Sequence, residues 1–185
     1  MARSLYLTLV VDMQVDFFGH ERLVRRRAEL ARNVNNLVSL SRDAGAPVVW
    51  VKQEFSSDLS DAMLEARRRN ARVVIAGSQG AALLPELHVA PGDEVLVKKR
   101  YSAFFGTELD ALLARNRPET LIVAGINTHA CVRTTVIDAY QRDYNVILPS
   151  DCIDSYDREH HDVSLRYMNG KMGRAMNNAE IGQVL

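Results

Sequence analysis

Ala124-Gly125-Ile126-Asn127-Thr128-His129-Ala130-Cys131-Val132 is the stretch whose reading decides the fold. Before it runs Thr120-Leu121-Ile122-Val123-Ala124, apolar and rich in β-branched residues. After it, residues 128–142 carry a helical period. A buried strand therefore ends, turns at Gly125, and delivers Cys131 into the first turn of a helix. Backbone N–H groups at a helix start lack intrahelical partners, and the helix dipole is positive there. A thiol so placed is expected to favour its thiolate. Cys131 is a candidate nucleophile, and the rest of the fold is expected to bring it a base and a cation.

The alternation of strand and helix extends outward in both directions. Residues 4–11, 47–51, 93–98 and 145–149 are apolar runs that read as strands. Residues 25–44 have helical period, with Leu30, Val34, Leu37, Val38 and Ser41 on one stripe and Gly45 as a C-cap. Residues 60–70 are a basic, surface-facing helical stretch. Residues 71–87 are irregular around the loop Gly77-Ser78-Gln79-Gly80. Residues 107–114 form a short helix with Thr107 as N-cap. Residues 157–169 are helical, and the tail from 174 is a strand followed by a short helix. Strands apolar on both faces, alternating with helices, indicate an α/β protein whose parallel sheet is covered on both sides. The whole chain, 1–185, reads as one domain.

Composition narrows the classes. Apolar residues make up 47% and charged residues 25%, and 23 basic residues balance 23 acidic ones. That balance gives no electrostatic reason to expect nucleic acid or a membrane surface as partner. Arg25-Arg26-Arg27 and Arg67-Arg68-Arg69 then read as solvated helix faces. No apolar run approaches a membrane span, and the start of the chain lacks a signal-peptide layout. Two cysteines are too few for a disulfide framework, so a reducing, cytoplasmic setting is expected. Cys152 reads as a small buried hydrophobe.

In open α/β sheets ligands bind at the carboxyl ends of the strands. Asp12 ends the first strand, Lys98 ends the third, and Cys131 follows the fourth, so the three are expected to converge on one rim. A free thiol, with a pKa near ~8.5, is mostly protonated at neutral pH. A carboxylate in reach can take its proton, and an ammonium can stabilise the anion. The Asp–Lys pair also removes the cost that either charge would carry alone in a dry site. Backbone N–H groups of the turn 125–127 and of Cys131 could receive a developing oxyanion.

These residues resemble the isochorismatase-like cysteine hydrolases, a superfamily that includes nicotinamidases and N-carbamoylsarcosine amidases. Four motifs in order carry the resemblance: Val11-Asp12-Met13-Gln14-Val15-Asp16-Phe17; Gly77-Ser78-Gln79-Gly80-Ala81 through Pro85-Glu86-Leu87; Lys98-Lys99-Arg100-Tyr101-Ser102-Ala103-Phe104; and 124–132 with Thr134-Thr135 and Asp138-Ala139. The resemblance implies a doubly wound, Rossmann-like three-layer sandwich with a mostly parallel sheet. It implies a catalytic triad of Asp12, Lys98 (rather than Lys99) and Cys131, a cis Ile126–Asn127 peptide, and oxyanion donors at the N–H of Asn127 and Cys131. Asn127, Phe17, Gln14 and Tyr101 are the candidate substrate-binding residues. A homo-oligomer, dimer or tetramer, is also implied.

Two departures shape the expected activity. Residues 51–58 hold no histidine where nicotinamidases keep metal ligands, and His160-His161 are adjacent and diverge on a helix, so no metal or other cofactor is expected. His129 is expected to orient its loop rather than act as a base. Isochorismatases proper generally lack the cysteine, whereas Cys131 is present. The expectation is therefore hydrolysis of a C–N bond (amide, ureide or carbamoyl) in a small molecule through a thioester. The alternative is vinyl-ether hydrolysis with Asp12 as acid.

Overall fold

The computed structural model describes residues 4–185. In chain order the elements are β1 (Tyr6–Val11), α1 (Glu21–Asp43), β2 (Val48–Gln53), α2 (Leu64–Arg68), β3 (Glu94–Lys98), α3 (Leu109–Asn116) and β4 (Thr120–Ile126). A π-helical turn, Thr128–Val132, then runs directly into α4 (Arg133–Tyr140). β5 (Asn145–Pro149), β6 (Ile153–Asp154), α5 (Arg158–Met168), β7 (Arg174–Met176) and α6 (Asn178–Ile181) complete the chain. The sheet order is β3-β2-β1-β4-β5-β7, with β6 beside the end of β4. Every strand pairing is parallel.

Alternation along the strands sorts the core into two layers. Leu7, Leu9, Val11, Val49, Val51, Leu121 and Val123 face α3, α4 and α5 through Leu109, Leu113, Val136, Ala139 and Met168. Val10, Val48, Trp50, Ile122 and Ala124 face α1 and α6 through Leu23, Leu30, Val34, Leu37, Val38 and Ile181. The expected three-layer α/β sandwich is therefore present. The stripe predicted on α1 is the buried one, and its polar member Ser41 is satisfied by the Thr8 hydroxyl at 2.8 Å.

The chain winds one way from β1 to β3 and the other way from β4 onward, so the topology switches between β1 and β4. At that point the backbone leaves no room for a side chain. Gly125 pairs with Val11, and a Cβ on Gly125 would lie 2.0 Å from the Val11 carbonyl oxygen. Its φ of +109° is a second reason that only glycine fits.

Several expectations need correction. α1 begins four residues before the predicted start, because the His20 side chain accepts from the Arg22 N–H and caps it. The basic stretch 60–70 is helical only over Leu64–Arg68, because Asp61 is drawn out to bond Ser56 instead. Glu108, not Thr107, is the N-cap of α3, although the Thr107 hydroxyl still accepts from the Leu109 N–H at 3.2 Å. β3 is not apolar-covered on both faces. It is the sheet's edge, and Val95 and Val97 are exposed. Arg26 and Arg27 are not merely solvated, since they pair with Asp154 and Glu86. No helix among the described residues is long and apolar enough to cross a membrane.

Candidate active site

Three strand ends deliver the three expected side chains to one point. β1 stops at Asp12, which takes a left-handed φ of +56° while its N–H donates to the Val51 carbonyl at 2.8 Å. Cys131 follows β4 across the switch point, inside the π-helical turn. Lys98 ends β3, two strand spacings (roughly 10 Å) from β1, and its length carries the ammonium under the end of β2. Its Nζ lies 2.8 Å from Asp12 Oδ2 and 3.4 Å from Cys131 Sγ, and it also donates to the Arg100 carbonyl at 3.1 Å. Lys99 turns away to pair with Asp61 at 2.9 Å.

The centre is almost dry, with Lys98 0%, Asp12 1% and Cys131 5% exposed. Burial therefore dominates the electrostatics. It pushes the Asp12 carboxyl above the usual carboxylate range, against the pull of Lys98 and the Cys131 hydrogen bond. It also pulls Lys98 down, but the attraction of Asp12 and then of Cys131 outweighs it, so the ammonium is held charged. For Cys131, burial and the Asp12 charge together push the thiol well above its ordinary value, and Lys98 only partly offsets them. The expected ready-made thiolate is thus corrected. Burial and a neighbouring carboxylate outweigh the helix start, and the resting sulfur is a thiol beside a base. The Asp12 carboxylate thus faces both the Lys98 ammonium, at 2.8 Å, and the Cys131 thiol, and can accept from either.

This has a direct consequence for reactivity. Alkylation of Cys131 by iodoacetamide should climb with pH without reaching a plateau below about pH 9, because only the thiolate attacks. A plateau near neutrality, measured by mass spectrometry of the modified peptide, would show a low-pKa thiol and contradict the burial argument. Cys152 is also free and fully buried, its thiol pushed up to about 12 by burial, with Asn178 Oδ1 as acceptor at 3.2 Å.

The candidate binding residues fall into different places. Ile126–Asn127 is a cis peptide, and Asn127 is half-buried at the head of the turn that carries Cys131. Gln14 is fully buried and committed. Its amide N–H groups donate to the Gln53 and Ala81 carbonyls, each at 2.8 Å, and its oxygen accepts from the Gln53 N–H at 2.7 Å. It clamps the ends of β1 and β2 and has no donor left for a substrate. Phe17 is half-buried between two apolar clusters. Tyr101 is largely exposed, at 49%. His129 bonds Ser155 Oγ through Nδ1 at 3.0 Å, and burial lowers its pKa.

Around the turn 126–129 the structure adds Asp154 and Ser155, which the sequence did not single out, and His161, which it weighed only as a metal ligand. A two-residue strand is too short to leave a periodic signal, and the only cue was the Asp-Ser turn pair after an apolar run. A cavity of about 490 Å³ between Tyr6, Tyr140 and Tyr144 opens at the opposite rim, and none of Asp12, Lys98 and Cys131 lines it. Among the described residues no group of three or more His, Cys, Asp or Glu is placed to hold a metal.

Fold and side chains together define an α/β protein with a buried thiol, carboxylate and ammonium at its switch point. Comparison with known proteins is consistent with that class. The isochorismatase domain matches residues 6–180. A probable inactive nicotinamidase from Arabidopsis thaliana is 34% identical over 165 residues, covering 85% of this chain and 84% of the relative. A ureidoacrylate amidohydrolase from Methylorubrum extorquens is 33% identical over 168 residues, covering 77% of this chain and 67% of the relative. The crystal structure of an isochorismatase family protein from Desulfovibrio vulgaris superimposes with a TM-score of 0.90 at 29% identity, over 99% of this chain and 98% of the other. The chain belongs to the isochorismatase-like hydrolase family.

Proposed function

We propose that the protein is a cysteine-dependent hydrolase that cleaves a C–N bond of a small amide, ureide or carbamoyl compound through a thioester. The observation that carries this reading is the single ammonium of Lys98, 2.8 Å from the carboxylate of Asp12 and 3.4 Å from the sulfur of Cys131. Asp12 takes the thiol proton as Sγ attacks the carbonyl carbon. The backbone N–H groups of Asn127 and Cys131 hold the oxyanion. Collapse breaks the C–N bond, and Asp12 returns the proton to the leaving nitrogen. Asp12 then takes a proton from water, the hydroxyl attacks the thioester, and the proton goes back to sulfur as the acid leaves. Lys98 stays charged throughout and keeps the carboxylate in place. Because the resting sulfur is a thiol, proton transfer accompanies attack rather than preceding it.

The nearly closed site supports a small substrate. At the end of β2, Lys52 is paired with Glu54 and Gln53 is tied to Gln14, an arrangement that supports a reaction without a metal. The same reading takes residues 1–185 as one domain, working as a homo-oligomer in a reducing cytoplasm. The ureidoacrylate amidohydrolase among the relatives supports C–N cleavage.

A second reading has one observation in its favour. The Asp12 carboxyl is pushed up by burial, which would let it serve as an acid in vinyl-ether cleavage. The test is a panel of nicotinamide, carbamoyl amino acids, biuret-like ureides and small aliphatic amides scored for ammonia, with a small vinyl ether scored for cleavage, before and after iodoacetamide. The hydrolase reading expects ammonia from at least one compound and its loss after alkylation. Ammonia release that survives full alkylation of Cys131 removes the thioester. Vinyl-ether cleavage that survives alkylation, with no ammonia from any compound, favours the second reading.

A further inference from the structure

The turn that presents Cys131 is tied to one other segment, residue by residue. Ile126 pairs with Asp154 across β4 and β6. Asn127 Oδ1 accepts from the Tyr156 N–H at 3.1 Å. Thr128 Oγ1 meets His161 Nδ1 at 2.9 Å. His129 bonds Ser155 Oγ twice, through Nδ1 at 3.0 Å and its N–H at 3.4 Å.

The position of residues 154–156 in turn depends on α1. Asp154 is 2% exposed, and its carboxylate meets Arg22 at 2.6 Å and Arg26 at 3.1 Å. The same carboxylate accepts from the Ser155 N–H at 2.8 Å, and Arg22 Nε donates to the Ser155 carbonyl at 2.9 Å. Both oxygens are engaged, and the partners come from two sequence regions more than a hundred residues apart. Buried ionic groups of this kind can often be replaced by apolar residues with little loss of stability. What an apolar replacement cannot supply is direction: a carboxylate gripped by two guanidiniums fixes the backbone next to it.

We propose that Asp154 is a positioning residue, and that Arg22 and Arg26 at the start of α1 act through it to hold the turn 126–129 in the geometry that hydrolysis requires. The proposal rests on the hydrolase reading for its kinetic consequence but not for its structural one. Misplacing catalytic donors by about 1 Å can cost on the order of 100-fold in rate.

The test uses the full chain carrying Asp154→Ala or Asp154→Asn. Amide hydrogen exchange is followed in peptides covering 126–132, with α3 as internal control. In Asp154→Ala, exchange in 126–132 should rise about tenfold or more while α3 is unchanged, and Asp154→Asn should lie between it and wild type. On any substrate the wild type hydrolyses, kcat should fall about tenfold with KM within about threefold, and Cys131 alkylation should stay within about twofold. Unchanged exchange in 126–132, or an equal rise in α3, overturns the proposal, as does wild-type kcat. If Asp154→Ala does not fold, Asp154→Asn and Arg26→Gln are judged by the same criteria. A wild type inactive on every compound counts against the hydrolase reading, and exchange alone then decides the role of Asp154.

Discussion

Cys131→Ala is expected to lose at least about 10⁴-fold in kcat on whichever compound the wild type hydrolyses, because without sulfur no thioester forms. Stability should change little. The substitution removes one heavy atom from a 5% exposed side chain and leaves the Asp12–Lys98 pair intact, so the cost should stay within about 1 kcal/mol. Ammonia release under saturating substrate and a urea titration give the two readings. An alanine variant within tenfold of wild type would mean that the sulfur is not the nucleophile.

Lys98→Met tests the other half of the site and should affect folding as well as rate. It leaves Asp12 charged, 1% exposed and without its cation. Removing one partner of a buried pair costs about 3–5 kcal/mol, whereas replacing both is far milder. Asp12→Asn/Lys98→Met should therefore recover most of the lost stability and none of the activity. Urea midpoints at constant slope measure this, and a double variant as unstable as the single would refute it. The pH dependence has a definite sign. An unpaired Asp12 binds its proton more tightly folded than unfolded, because its folded pKa lies above the ordinary value. Folding then takes up a proton, so the Lys98→Met defect shrinks as pH falls through that raised value toward the ordinary carboxylate range, and is fully present above it.

Much of the fold was legible because its cues were long and local. The stripe on α1 and the apolar runs of β1, β2, β4 and β5 each span a full strand or several helical turns. The convergence of Asp12, Lys98 and Cys131 followed from strand ends in a parallel sheet. The thiol's protonation state did not, because it depends on how completely the site is buried, and burial is a property of the assembled layers. Gln14 illustrates the same limit. As a residue after the first strand it read as a pocket candidate, yet the backbone of Gln53 and Ala81 uses up its amide. The exposed face of β3 was unreadable for the converse reason. Val95 and Val97 are as apolar as their neighbours, and only the strand order puts them at the margin.

That strand order carries a last implication. The sulfur and the carboxylate hang from the two central strands, but the ammonium is mounted on the outermost one, hydrogen-bonded along a single flank. Edges fray before centres do. On the proposed hydrolase reading, a brief peeling of the five residues of β3 would withdraw the ammonium from the sulfur and the carboxylate while the other strands stay assembled, well short of melting the whole molecule.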